Sequence, residues 1–417
     1  MITEAFLIDG NALSKERSAK NLKFMLTENQ VASGFLYGCH DGVKGYSDGF
    51  DESRDNNMIL IRKNADALYF IMKELPILES LGFKVDYKEN VKALADAFVR
   101  LWERYGQFGQ FIDLYTGDIL VGNSLSSSTA IGGLALACEF FGIEKYGQVA
   151  KESCDYYYEN YTKKGITNGG PGEIFAACDS ESASGILDSF ITMYNVFKDE
   201  KYLSYAKSAA NQVLSWVMNY DFIFPKDSLF GKWNIKTCGS VFANVQNKHS
   251  APGYCTLSGD SLFELYRLTG NDIYLKSLRY TAHNITSYLI TEDKKKITPE
   301  IKDHITNTMN ERVETSDWLE PVGEIFKGSC WCEASDALTY SEVPGLYIDK
   351  DKDIVFPIDH IEIADVDKDS WQIKVKNPTK YDMKLKVFIE NGNPRINYTR
   401  DFKIINMNKG ETVNITV

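Results

Sequence analysis

Through most of the chain the apolar positions recur every three or four residues, the spacing of one face of a helix. Segment 57–76 carries Met58, Ile61, Ala65, Leu68, Met72 and Leu75, and its neighbour 88–105 carries Val91, Leu94, Phe98, Leu101 and Trp102. Further helix pairs are predicted at 126–141 with 144–161, 182–197 with 200–219, and 258–268 with 272–290, and single helices at 13–28 and 332–341. After Pro344-Gly345 the period changes to two: 371–376, 383–389, 402–407 and 412–417 alternate as half-buried strands. The boundary predicts a helical domain over 1–344 and a small antiparallel β-sandwich over 345–417.

The helix pairs repeat one another. Ile191-Thr-Met-Tyr-Asn-Val-Phe-Lys-Asp-Glu-Lys-Tyr-Leu203 and Leu262-Phe-Glu-Leu-Tyr-Arg-Leu-Thr-Gly-Asn-Asp-Ile-Tyr-Leu275 each run from a helix through a tight polar turn into a second helix. The first member of a pair is apolar nearly all round, as in Ala130-Ile-Gly-Gly-Leu-Ala-Leu-Ala-Cys138, whereas the second is amphipathic. That asymmetry predicts an inner and an outer ring of helices, a mainly α (α/α)6-type helical toroid. Connections from inner to outer helix are short (142–144, 198–200), and those from outer to inner are long (30–56, 106–125, 163–181, 220–257, 291–331). The long loops therefore gather at the N-termini of the inner helices, where a rigid scaffold usually carries its site.

Composition narrows the partners. Lys and Arg number 46 against 58 Asp and Glu, a net charge of −12, with no basic run to follow a phosphate backbone, so nucleic acid is excluded. No window is long and apolar enough to span a membrane, and the start lacks a basic, then apolar, leader. Taken as written the sequence reads as cytoplasmic, or as secreted or periplasmic if a signal peptide was removed. Whether it self-associates as a homo-oligomer stays open.

The signatures of phosphate loops, dinucleotide folds, zinc proteases and serine hydrolases are absent. What stands on the long-loop side is carboxylates: Glu173, Asp179 and Glu181 before the helix near 182, and Glu324 and Glu333 before the last one. Glycoside hydrolysis needs one carboxyl to protonate the leaving oxygen and one carboxylate to activate water or attack, with no cofactor. Each acid also has a structural alternative as a helix cap. His40, Arg54, Arg62, Asn247, Lys248, His249 and Arg312 are candidate substrate contacts, the cations because a uronate would need one, and Trp233 and Trp331 are candidate stacking platforms.

The blocks Asp179-Ser-Glu-Ser-Ala-Ser-Gly-Ile-Leu-Asp188, Asn244-Val-Gln-Asn-Lys-His-Ser-Ala-Pro-Gly253, Gly328-Ser-Cys-Trp-Cys-Glu333 and Glu342-Val-Pro-Gly-Leu-Tyr347 resemble those of bacterial six-hairpin glycosidases. Within that superfamily the chain is most similar to glycoside hydrolase family 154, which implies β-glucuronidase activity. The resulting expectation is a hydrolase of uronate-containing carbohydrate, with Glu181 and Glu333 as leading acids and Glu173, Asp179 and Glu324 behind them. Two alternatives are a zinc- or cysteine-dependent toroid enzyme using Cys39, His40, Cys238, Cys255, Cys330 or Cys332, and a non-catalytic glycan-binding protein.

Overall fold

The computed structural model describes residues 1–48, 57–172, 174–251, 253–309, 314–315, 321–324, 331–392 and 400–417, without the side chains of Trp331 and Cys332. Its helices are α1 (Ile2–Asp9), α2 (Ala12–Thr27), α3 (Ile61–Ser80), α4 (Lys88–Tyr105), α5 (Thr129–Phe141), α6 (Glu144–Asn160), α7 (Ser180–Phe197), α8 (Glu200–Ser215), α9 (Leu229–Trp233), α10 (Asp260–Thr269), α11 (Asp272–Ile285), α12 (Glu292–Ile297) and α13 (Trp331–Glu342). The tight turns between paired helices share one chemistry. Gly142, Lys198 and Gly270 end their helices in the left-handed region, and after the latter two Asp199 and Asn271 cap the next helix with their side chains.

Helices α1, α3, α5, α7 and α10 pack each on the next, and α13 returns to α1. The link from α13 to α10 is made at the entry of α10, where the Ser335 and Thr339 hydroxyls donate to the carbonyls of Leu257 and Ser258. Helices α2, α4, α6, α8 and α11 pair with these as the second members of hairpins. The α3–α5 contact is close: a β-carbon on Gly133 would lie 2.8 Å from the Leu68 side chain and 3.1 Å from the Tyr69 amide.

Two predicted boundaries are corrected. The chain before residue 13 forms α1, which the hydrophobic pattern had not shown, because its eight residues make barely two turns. Helix α3 does not stop at Pro76 but runs on to Ser80, with Ile77 and Leu78 buried beyond the proline.

The closing of the helix succession centres on Lys73 of α3, whose ammonium is buried. Its Nζ donates to Glu342 of α13 at 2.5 Å and lies 2.9 Å from Glu4 of α1. Two acids on one lysine cannot both be ionised cheaply out of water. Burial, with the Glu342 carboxylate beside it, accordingly raises the Glu4 carboxyl well above its ordinary range.

Where a further outer helix would follow α13, the chain turns into strands: β8 (Leu346–Asp349), β9 (Ile354–Pro357), β10 (Glu362–Asp367), β11 (Gln372–Lys376), β12 (Met383–Ile389), β13 (Lys403–Met407) and β14 (Thr412–Thr416) of our C-terminal series. They form two sheets, ordered β13-β12-β8-β9 and β10-β11-β14. Leu346, Ile348, Leu385 and Val387 of the first share one apolar cluster with Ile373, Val375 and Ile415 of the second. The expected all-antiparallel pairing fails at one place, since β8 and β12 run parallel. The same first sheet packs Tyr347 and Phe388 against Phe263 of α10, and Lys386 pairs with Asp9 of α1.

Small strands decorate the long-loop end: β1 (Cys39–His40) with β2 (Gly45–Tyr46), a three-stranded sheet of β3 (Met58–Leu60), β4 (Phe111–Asp113) and β5 (Ile119–Val121), and β6 (Val241–Phe242) with β7 (Ser250–Ala251).

Deeper among the inner helices Asp188 of α7 accepts from Tyr69 of α3 at 3.2 Å and from Ser261 of α10. Burial pushes its carboxyl up to about 6, held back by the Ser261 hydrogen bond and the Lys73 charge. A folded-state pKa above the ordinary ~4 means stability that is full below about pH 4 and lost as the pH rises through about 6. Asp188→Asn removes that loss. Relative to wild type, the variant should gain on the order of 2 kcal/mol between about pH 4.5 and pH 7.5 in urea unfolding; parallel curves for the two proteins would contradict the assignment.

Candidate functional site

Strand β3 runs directly into α3, so the sheet at the long-loop end fixes where the first turn of α3 begins. That turn presents Arg62, and the next presents Asp66, four residues on and hence on the same helix face. Arg62 forms an ion pair with Glu181 in the first turn of α7, and it uses one oxygen of that carboxylate. Thr129, the first residue of α5, donates its hydroxyl to Asp66 at 2.8 Å. The openings of α3, α5 and α7 are thus tied together by one guanidinium and two carboxylates.

Asp66 is closely surrounded by protein, yet the residue keeps some open surface. Burial raises its carboxyl, with the Arg62 charge and the Thr129 hydrogen bond pulling the other way. Among the described residues only Thr129 hydrogen-bonds to it, leaving its second oxygen without a donor.

Asp179 takes the capping place that the sequence offered as its alternative. It is the N-cap of α7, fully buried, with one oxygen accepting from the Ser182 amide at 2.6 Å and the other from the Gly170 amide at 2.9 Å. Both oxygens are used, and burial raises the carboxyl even so. Gly170 is tight against it: a β-carbon there would meet Asp179 Oδ1 at 2.4 Å. The structural alternative therefore holds for this acid.

The β6–β7 hairpin locks to the same helix start. The Ser180 amide donates to Ala243, and the Ala243 amide to His249. His249 is buried, Lys248 is in the left-handed region, and Asn247 keeps a buried side-chain oxygen with no hydrogen-bond partner among the described residues. Ser180 Oγ and Cys255 Sγ are 3.3 Å apart. Burial pushes the Cys255 thiol up to about 12, the opposite of what a thiolate nucleophile needs.

Glu333 lies in the first turn of α13, on the same end as the residues just described, since Ser335 bonds to Leu257 close to Cys255. One of its oxygens accepts from the Met309 amide at 3.1 Å, and the other is buried without a partner among the described residues. One turn on stands Asp336, with a buried unpartnered oxygen of its own. Burial and the Glu333 carboxylate push Asp336 well above the ordinary carboxylate range.

The remaining sequence candidates scatter. His40 sits in the β1–β2 hairpin, accepts from the Gly42 amide at 2.9 Å and meets Phe24 of α2 edge-on at 4.9 Å. Trp233 packs with Phe230 and donates to Thr298, so it props the loop that carries α12. Glu324 is near Lys232, whose ammonium it helps to stabilise. Glu173, Arg54, Arg312 and Cys330 lie outside the described residues, as do the side chains of Trp331 and Cys332. Among the described residues no three His, Cys, Asp or Glu side chains gather as metal ligands, and no helix is long and apolar enough to cross a membrane.

The sequence reading missed Asp66 and Asp336. The signal for the first was present: Arg62 and Asp66 are opposite charges four apart, on one face of the opening turns of α3.

No protein-family model and no curated protein sequence matches the chain. Several solved structures share its fold. D-mannose isomerase superposes with a TM-score of 0.52 over 82% of this chain and 83% of its own, at 10% identity. A sugar epimerase from a ruminal bacterium gives 0.52 over 82% and 84%, also at 10% identity. Cellobiose 2-epimerase from Bacillus thermoamylovorans B4167 gives 0.51 over 82% and 84%, at 11% identity. At such identities the likeness is one of fold.

The capping role of Asp179 is open to measurement. Asp179→Ala should lower unfolding stability by about 1–2 kcal/mol, the usual loss for an N-cap, and a variant as stable as wild type in denaturant titration would refute it.

Proposed function

We propose that the chain is a carbohydrate-active hydrolase built as an (α/α)6 toroid, cleaving a glycosidic bond with two carboxylates and no cofactor. The observation that carries this reading is the Arg62–Glu181 ion pair between the first turns of α3 and α7, with Asp66 one turn further along α3 under the Arg62 charge. One acid is paired with a cation and another is raised by burial, which is the division of states that acid–base hydrolysis needs. The names of the structures sharing the fold, isomerases and epimerases of sugars, are in keeping with a sugar substrate.

Within this reading Glu181 acts as base, and Glu333 remains the partner that the sequence singles out. The expected sugar is a uronate, as in a β-glucuronidase. Arg62 is engaged by Glu181, so the cation for a substrate carboxylate would be Arg54, Arg312 or Lys248. The carboxylates come from different helices around a ring, which suits the ~6.5–9.5 Å gap of inverting enzymes better than the ~5–5.5 Å gap of retaining ones.

Nitrophenyl glycosides, β-glucuronide among them, test the reading directly, with release of nitrophenol expected from at least one. Glu181→Gln should then lower kcat by about 10²–10⁴-fold. Proton NMR of the first-formed anomer should show inverted configuration; retention would refute the inverting geometry.

The same fold likeness supports a second reading, a sugar epimerase or isomerase. It predicts interconversion of a free reducing sugar with no cleavage of any glycoside, so the same NMR experiment separates the two.

A further inference from the structure

A hydrolase of this kind needs two carboxyl groups with oxygens open to the substrate, and the described acids at the long-loop end can be compared on that ground. Both oxygens of Asp179 are taken by backbone amides. Glu333 gives one oxygen to Met309, and its other oxygen is buried. Asp336 also keeps a buried oxygen. Glu181 gives Arg62 one oxygen, and Asp66 gives Thr129 one. Neither Glu181 nor Asp66 has a side-chain oxygen among the buried unpartnered atoms. Each therefore retains an oxygen that is neither bonded nor sealed in.

We infer that Asp66 is the proton donor of the reaction, working across Arg62 from Glu181. This rests on the glycosidase reading above and replaces Glu333 as the second carboxyl. In the step, the Asp66 proton moves to the glycosidic oxygen as the bond from that oxygen to the anomeric carbon breaks. Water adds its oxygen to the anomeric carbon and gives its proton to Glu181. The products are the sugar hemiacetal and the free alcohol; Asp66 ends ionised and Glu181 protonated, and exchange with solvent restores both.

Arg62 explains why the two acids belong together. Before the step the negative charge is on Glu181, and afterwards on Asp66, while the guanidinium bonded to Glu181 exerts its charge on Asp66 as well. The charge crosses the arginine and the net charge of the group does not change, so the surroundings need little reorganisation. The burial that raises the Asp66 carboxyl keeps the proton available before the step, and Thr129 fixes which oxygen faces outward.

Leaving-group dependence tests the assignment, because a good leaving group departs without a proton. With the sugar that wild type hydrolyses fastest, Asp66→Asn should lower kcat about 10²–10⁴-fold on the phenyl glycoside and less than about 10-fold on the dinitrophenyl glycoside. Glu181→Gln should lower both alike. Thr129→Val keeps the carboxyl but removes its hydrogen bond, and should move the alkaline limb of the kcat/KM profile to higher pH. Equal losses on both leaving groups in Asp66→Asn, or no loss on either, would overturn the role of Asp66 while a dead Glu181→Gln left the hydrolase reading standing. Full activity in Glu181→Gln, or a wild type that cleaves no glycoside of the panel, would overturn both.

Discussion

The buried ammonium of Lys73 is the constraint on which the arrangement depends. It joins the first inner helix to the last, through Glu4 and Glu342, from a position in the middle of α3. Lys73 and Glu342 are both buried, so losing the lysine would leave the Glu342 carboxylate without its cation, at a cost of about 3–5 kcal/mol. Ser258 adds a hydrogen bond to the same Glu342, which brings the entry of α10 into the junction. Four helices thus have their relative positions set by one cation.

Two regions of the inner helices use charge differently. Between α10 and the C-terminal strands the charges neutralise one another: Arg400 pairs with Asp260 and Glu264, and Arg267 with Glu264 and Glu390, which also accepts from Tyr347. These contacts fasten the strands to α10 and leave little unpaired. At the openings of α3 and α7 the Arg62 guanidinium pairs with Glu181 and its charge also acts on Asp66. The acids there keep hydrogen-bond acceptors that the described protein groups do not satisfy.

Much of this was legible in the sequence, for reasons that also set the limits. The alternation of all-round apolar and one-sided helices gave the paired arrangement, since burial on several sides leaves a compositional mark that amphipathic helices lack. Helix α1 left no such mark: two turns hold too few positions to show a period, and part of its burial comes from α13, far away in sequence. The parallel pairing of β8 with β12 was likewise hidden, because alternation reports which face is buried and not which neighbour a strand has. At the site, Glu181 and Arg62 were singled out separately, but their pairing is a tertiary fact. Asp179 looked catalytic because a cap and an acid at a helix start are written with the same letters. Asp66 is written inside a helix, where an acid looks the same whether it faces solvent or the interior.

The contact between α1 and α13 also bears on how the chain acquires its structure. The Ser341 hydroxyl reaches the carbonyl of Ala5 across 336 positions of sequence, so α1 finds its full set of neighbours only after nearly all the helices exist. During translation α1 has α2 and α3 to rest on, but the partner that completes its burial is still to be made. Pairing of the remote ends is therefore expected to be a late event in folding, with the local hairpins forming first because their loop-closure entropy is small. Until then the acids around Lys73 remain reachable by water, and the interval before closure is when the nascent protein would be most exposed to proteases and to association with other chains.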